Sequence, residues 1–444
     1  MQQTIRIIGG GLAGCEAAWQ VARAGLRAVL YEMRPLRSTP AHKTGSLAEL
    51  VCSNSLKSES ENTAPWLLKQ ELRRMGSLLL EAAGKSRVPG GHALTVDREL
   101  FAREVTAAIE SSPLIEVRRE ELTEAPKEGI VIIASGPLTS DALAADVARL
   151  TGADRLYFYD SISPIVEADS IDLTIAFRAS RYDKSLDGTG DYLNCPLDRE
   201  QYERFLTALL EAQSHSPHIA GDVPYFESCL PIEELARRGP DTLRFGPMKP
   251  VGLHDPRTGR RSWAVVQLRQ ENARADSYNL VGFQNSLKYG EQKRVFRLIP
   301  GLGQAEFLRY GQIHRNTYIN APALLTPVLS LRSDPRVFFA GQISGVEGYV
   351  ESIATGLLAG RGAAALAKGE PLRPAPRATA LGSLRHYICT ADPFHYQPAN
   401  ITFDLLPQLD EETRQRYRKD KKGRRAEVCR RALAALDEYR SASV

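Results

Sequence analysis

Two cysteines stand where a thiol could react. Cys52 lies in the polar stretch VCSNSLKSE with Lys57 five residues on, and Cys229 lies in ESCLPIEE. There Pro231 and the acids Glu233 and Glu234 mark a helix start, whose N-terminus would stabilise a thiolate. A lone cysteine is as readily a small buried hydrophobe, so both readings stand at 52 and 229, while Cys15 falls inside an apolar helix and reads as packing. His314, in IHRNTYINAP beside Arg315, Asn316 and Asn320, is either a satisfied structural histidine in a polar loop or a ring-stacking ligand contact. From Arg414 to Arg431 ten Lys or Arg face two acids, with Arg424 and Arg425 in mid-run. A terminal helix could carry these on its wet face, but the imbalance exceeds what solvation needs and favours nucleic acid or another polyanion.

The elements that must position these groups begin at residue 5. Ile5, Ile7 and Ile8 make a short β-branched strand. Gly9, Gly10, Gly11, Leu12, Ala13 and Gly14 follow as a G-x-G-x-x-G turn, and an apolar helix runs from Ala13 to Ala24. A second strand, Ala28 to Tyr31, ends on Glu32, where an acid can take the ribose hydroxyls of an adenosine. Glycines there let the backbone approach a pyrophosphate, whose charge sits on the unpaired N–H groups of the helix. A buried strand, Ile130 to Ala134, runs into Ser135, Gly136 and Pro137, as the far wall of a dinucleotide site often does. Much later the strand Val337 to Ala340 enters GQISGVEGYVESIATG, which holds Gly341, Gly348, Tyr349 and Thr355. A helix starting near Tyr349 would aim backbone N–H groups at the ring oxygens of a flavin. NAD dehydrogenases need no such return, so the second turn favours FAD.

At 444 residues and 43% hydrophobic the chain can bury two or three cores. Its net charge of +4 demands no polyanion globally, so any nucleic-acid contact must come from local clustering. No stretch is long and apolar enough to span a membrane, and the first strand starts too early to leave room for a signal peptide; a cytoplasmic protein is expected. Six cysteines without a C-x-x-C pair exclude a disulfide scaffold, and no metal site is expected. His215 and His218 are separated by Pro217 and read as loop. Residues 36–60 read as a long functional loop, with helices around 63–83 and 97–111. Alternating, aromatic-bearing stretches at 242–248, 262–270 and 278–285 read as antiparallel strands. The expected fold class is α/β: a discontinuous Rossmann-like FAD-binding domain, 1–155 and 300–444, with an inserted α+β domain, 156–299, rich in antiparallel strands.

Over nearly its full length the chain resembles the folate- and FAD-dependent tRNA (uracil-5-)-methyltransferases. The resemblance rests on GGGLAGCEAA (9–18), YEMRP (31–35), ELVCSNSL (49–56), ASGPLTS (134–140), DYLNCP (191–196), FGPMKPVGL (245–253), AVVQLRQEN (264–272), HRNTYINAP (314–322) and AGQISGVEGYVESIATG (340–356). It implies methylation of C5 of the T-loop uridine, position 54 of tRNA. The one-carbon unit would come from 5,10-methylenetetrahydrofolate, and NADPH or NADH would reduce the FAD. It also implies Cys52 and Cys229 as the catalytic pair, one adding to uracil C6 and the other serving as base or flavin-adduct partner. Gly9 to Gly14, Glu32, Arg34, Gly136, Gly341, Gly348, Tyr349 and Thr355 would then hold the flavin. His314 would meet the pterin, facing the flavin ring, Arg315 would bind substrate, and Arg424 and Arg425 the tRNA. Gly10 stands where the family has Ala, Cys15 where it has Ser, Asn285 where it often has Thr, and Asp404 where it has Gly. Competing readings are the same chemistry on ribosomal RNA, a wobble-uridine enzyme, a thiol-redox flavoenzyme and a non-catalytic flavin-bearing RNA-binding protein.

Overall fold

The computed structural model describes residues 3–152, 156–185, 188, 190–215 and 230–441; for 156–160 and 313–315 the description is of the backbone. Five parallel strands form the first sheet, in the order Val337–Phe339, Val131–Ile133, Ile5–Ile8, Ala28–Tyr31, Ile115–Arg118. Parallel neighbours need crossover connections, here supplied by the helices Leu12–Arg23 and Arg98–Glu110. Asp97 caps the second of these, its carboxylate accepting the N–H groups of Glu99 and Leu100. The edge strand 337–339 joins from some two hundred residues downstream of its neighbour 131–133, so the Rossmann-like layer is discontinuous.

After that strand the chain enters the helix Tyr349–Lys368, which lies against Leu12–Arg23. The two backbones approach closely because the contact is built of small residues. A Cβ on Gly356 would lie 2.3 Å from the carbonyl oxygen of Ala13. The same logic closes the first turn, where a Cβ on Gly14 would fall 1.8 Å from the carbonyl oxygen of Gly9.

A second, six-stranded sheet is antiparallel, in the order Phe177–Ala179, Tyr192–Leu197, Ala264–Gln270, Ser277–Leu280, Ile165–Glu167, Phe307–Arg309. Its apolar face packs on the helix Arg199–Leu210 around Phe205, Phe283 and Phe296, a core distinct from the one under the parallel sheet. A two-stranded ribbon, Leu156–Ser161 with Ile313–Tyr318, carries the chain out to this layer and back.

Two expectations are corrected. The stretch 242–248 is not a strand but a short helix, Thr242–Phe245, and a turn. Strand 264–270 already has 192–197 and 277–280 on its two edges. Arg244 instead stacks on Trp263 at 3.6 Å and pairs with Asp241, which favours the helical turn. The expected helix over 63–83 is two, Ala64–Arg74 and Leu78–Lys85, broken at Gly76, with Ser77 capping the second.

Candidate functional site

The glycine-rich turn opens on a cleft of about 1010 Å³ at the carboxyl ends of the parallel strands, lined by both glycine-rich segments. Gly9, Gly11, Leu12 and Ala13 form one wall, Ser135 and Gly136 a second, and Gly341 and Tyr349 a third. Gly11 faces open space, with nothing within 4 Å of where a Cβ would stand. This is the bare backbone a pyrophosphate needs at a helix N-terminus. Glu32 is buried at the cleft wall. One carboxylate oxygen accepts the Gly10 N–H at 3.0 Å, and the other accepts the backbone N–H and Nε of Arg34, both at 2.9 Å. Burial raises this carboxyl, but Arg34 and the Gly10 N–H more than offset it and hold it below the usual range. Arg34 in turn reaches Glu49 at 3.1 Å, tying the loop after residue 36 to the cleft.

Other expected cofactor residues stand behind the wall. Thr355 is fully buried, and its hydroxyl accepts the Gly341 N–H at 2.8 Å, which shapes the second turn. A Cβ on Gly10 would lie 2.6 Å from a methyl of Leu47, the end of a flexible side chain that can move aside. Gly348 leads into the helix beside Glu351 and Lys57.

The Cys52 loop is fastened to this cleft at several points. The backbone N–H groups of Cys52 and Ser53 both donate to the Tyr349 hydroxyl, at 2.8 and 3.1 Å. With both lone pairs engaged, the phenol keeps its own proton to donate. Arg98 donates to the carbonyls of Leu50 and Cys52, at 2.7 and 3.0 Å, and pairs with Glu271 of the antiparallel layer. Asn54 bridges the same layers, donating to the Val96 and Gln270 carbonyls and accepting from Arg269. Two guanidiniums, Arg98 and the largely buried Arg309, couple electrostatically to Cys52 and Tyr349. Such a setting favours a thiolate. Lys57, at the left-handed φ of 61°, pairs with the fully buried Glu351 at 2.8 Å and donates to Asn400. Backbone strain of this kind persists where surrounding contacts over-determine it, as at sites of function.

Cys229 lies outside the described residues; the helix expected just after it is present as Ile232–Arg237. His314 and Arg315 belong to the strand Ile313–Tyr318 rather than to a loop, His314 opposite Asp160, and their side chains lie outside the description. IHRNTY is apolar only at its two ends, so no period-two pattern marks this strand in the sequence. Asp404 sits exposed in the short helical turn Phe403–Leu405 without a left-handed φ, so the change from glycine leaves Asn400 and its Lys57 contact in place. Arg424 and Arg425 line an open groove with Phe403, Arg414 and Lys421, and Arg425 lies 5.4 Å over the Phe403 ring. Arg430 and Arg431 instead pair with Glu427, both at 2.7 Å. Arg98, Arg309 and Asn54 carry no local sequence signal because their partners are dozens to hundreds of residues away.

The comparisons with known proteins agree with this architecture. The family profile described as "Glucose inhibited division protein A" matches residues 4–371. The protein named methylenetetrahydrofolate--tRNA-(uracil-5-)-methyltransferase TrmFO from Solibacter usitatus is 72% identical over all of both chains. Its namesake from Koribacter versatilis is 65% identical over all of this chain and 99% of its own. That from Geobacter sulfurreducens is 58% identical over 99% of each. Among solved structures, Aquifex aeolicus GidA superposes with a TM-score of 0.69 at 16% identity, covering 98% of this chain and 74% of GidA, a likeness of fold. With the paired glycine-rich turns, the tethered cysteine loop and near-complete alignment to these relatives, the chain belongs to the GidA family and, within it, to the TrmFO methyltransferases.

Proposed function

We propose that the protein methylates C5 of the T-loop uridine, position 54 of tRNA, with 5,10-methylenetetrahydrofolate as carbon donor. FAD would occupy the cleft, reduced by NADPH or NADH. One observation carries the reading: Tyr349, which lines the cofactor cleft, holds the backbone of Cys52 at its rim. A thiol would thereby sit beside a bound dinucleotide, an arrangement an ordinary S-adenosylmethionine enzyme does not need. The names borne by the relatives supply tRNA, uracil C5 and methylenetetrahydrofolate as substrates. The glycine-lined cradle and Glu32 fit an adenine dinucleotide.

Uracil C5 is a poor nucleophile until a thiolate adds at C6 and makes C5 enolate-like; after carbon transfer a base must take the C5 proton and the thiolate must leave. Cys52 serves one of these roles and Cys229 the other. Arg98 and Arg309 set positive charge near Cys52, and Tyr349 fixes its loop. A methylene unit needs two electrons to become a methyl, and that reducing power is what bound FAD supplies. Pterin binding is assigned to His314, substrate binding to Arg315, and tRNA phosphate contact to Arg424 and Arg425.

The test is nucleoside mass spectrometry of a tRNA transcript incubated with the protein. Methylation is expected with methylenetetrahydrofolate plus NADPH or NADH, and not with S-adenosylmethionine. Product formed from S-adenosylmethionine without folate sinks the reading; product confined to ribosomal RNA moves it to that substrate.

A further inference from the structure

Away from the cleft, the far end of the helix 349–368 borders an open cavity of about 1540 Å³. Its other walls come from the end of the first helix, the proline-rich segment 371–375, the helix Ala380–Thr390 and Tyr439 of the C-terminal helix. Arg23, Arg361, Lys368 and Arg385 line it, and among the described lining residues Glu370 is the one carboxylate. Glu370 is engaged only loosely, 3.9 Å from Lys368. Arg385 is 9% exposed, yet among the described residues no carboxylate lies within 4 Å of it. One of its amino groups donates to the Ala375 carbonyl at 3.2 Å, while its buried Nε has no partner. Arg361, half-buried on the facing helix, makes neither an ion pair nor a side-chain hydrogen bond among the described residues.

A buried guanidinium without a counter-charge is costly, and a bound anion would offset that cost. Guanidinium forks match the oxygens of a phosphate in pairs, and the surplus of positive charge exceeds what a single carboxylate would balance. We propose that this cavity binds a phosphate group between Arg361 and Arg385. Twelve residues of helix separate Tyr349 from Arg361, about 18 Å along the axis. The site is therefore distinct from the cofactor cleft and from the groove of Arg424 and Arg425. The phosphate can belong to an RNA backbone or to a small free compound. The chemistry is the same, and it holds whether or not the catalytic reading does, because the first measurement below uses no RNA.

Inorganic phosphate and pyrophosphate are titrated into the RNA-free holoprotein, and the melting temperature is followed for wild type, Arg361→Gln and Arg385→Lys. Arg361→Gln removes a half-buried side chain with no partner and serves if the Arg385 variant fails to fold. Wild type should rise in melting temperature with pyrophosphate and Arg361→Gln should not. Separately, tRNA affinity is measured against salt. A log–log slope shallower by about one in Arg361→Gln assigns the phosphate to RNA, and an unchanged slope assigns it to a free compound. Equal responses of wild type and Arg361→Gln to pyrophosphate, together with equal salt slopes, overturn the proposal.

Discussion

The hydroxyl of Tyr349 lies 2.8 Å from the backbone nitrogen of Cys52, across 297 residues of sequence, and accepts its N–H. Tyr349 also heads the helix that returns to the cofactor cleft, so one side chain registers the thiol-bearing loop against the cofactor wall. Tyr349→Phe leaves two partly buried N–H groups without an acceptor, at a cost of about 1–3 kcal/mol each at most. Methyl transfer should fall about tenfold or more by that measure, while flavin content, read from the visible spectrum, stays near wild type. Undiminished turnover would show that the tether is dispensable.

Cys52→Ala and Cys229→Ala should each reduce methyl transfer to background with flavin absorbance and melting temperature little changed. Cys52 is in a partly exposed loop rather than a core, where small-to-small changes cost little. Single-turnover methylation of a tRNA transcript by each variant is the measurement, and near wild-type rates in either one remove that cysteine from the mechanism.

The C-terminal arginines divide by their partners. Arg424→Gln with Arg425→Gln should weaken tRNA binding and flatten the log–log salt slope by about two, one per lost phosphate contact. Arg430→Gln with Arg431→Gln removes cations already paired with Glu427, whose carboxyl the two arginines hold down at about 2. This second pair of changes should leave the slope within about half a unit of wild type. Equal effects of the two double variants would contradict the distinction.

Gly356→Ala places a methyl 2.3 Å from the Ala13 carbonyl oxygen, where backbone rather than a flexible side chain must yield. Overpacking of this kind costs about 1–3 kcal/mol. Because Ala13 lines the cleft, the variant should also lose flavin on dialysis faster than wild type. Differential scanning fluorimetry and the absorbance of the dialysed protein test both effects.

His42 lies at the cleft beside Arg34, and burial first, then Arg34, depresses its imidazole from 6.5 to about 4. The unfolded chain therefore binds more protons than the folded one between those values. The stability His42 contributes is fully present above pH 6.5 and is lost as pH falls towards 4. His42→Asn should flatten the pH dependence of the melting temperature across this window, and an unaltered profile would exclude His42 as its source.

Much of the cofactor half was legible in sequence because its determinants are local. The turn from Gly9 to Gly14 and the segment from Gly341 to Thr355 each hold their own strand, turn and helix signals within about twenty residues, and both line or brace the same cleft. The ion pairs of Glu427 with Arg430 and Arg431 were equally local, at three and four residues' spacing, yet were passed over by a simple count of charges. The seat of Cys52 could not be read in this way. Arg98 meets Cys52 across 46 residues and Glu271 across 173, and nothing in the neighbourhood DREL distinguishes it from any solvated arginine. The segment 242–248 misled because alternation alone cannot say whether a sheet edge is available.

Arg98 has a mechanical consequence. One guanidinium grips the Leu50 and Cys52 carbonyls with one edge and the Glu271 carboxylate with the other, so the Cys52 loop and the antiparallel layer are bolted to a single pivot. Neither can swing without either dragging the other or shearing a nearly buried ion pair. Any force that parts the two layers therefore moves the backbone of Cys52 in the same stroke, and the thiol's position becomes a readout of how the layers sit.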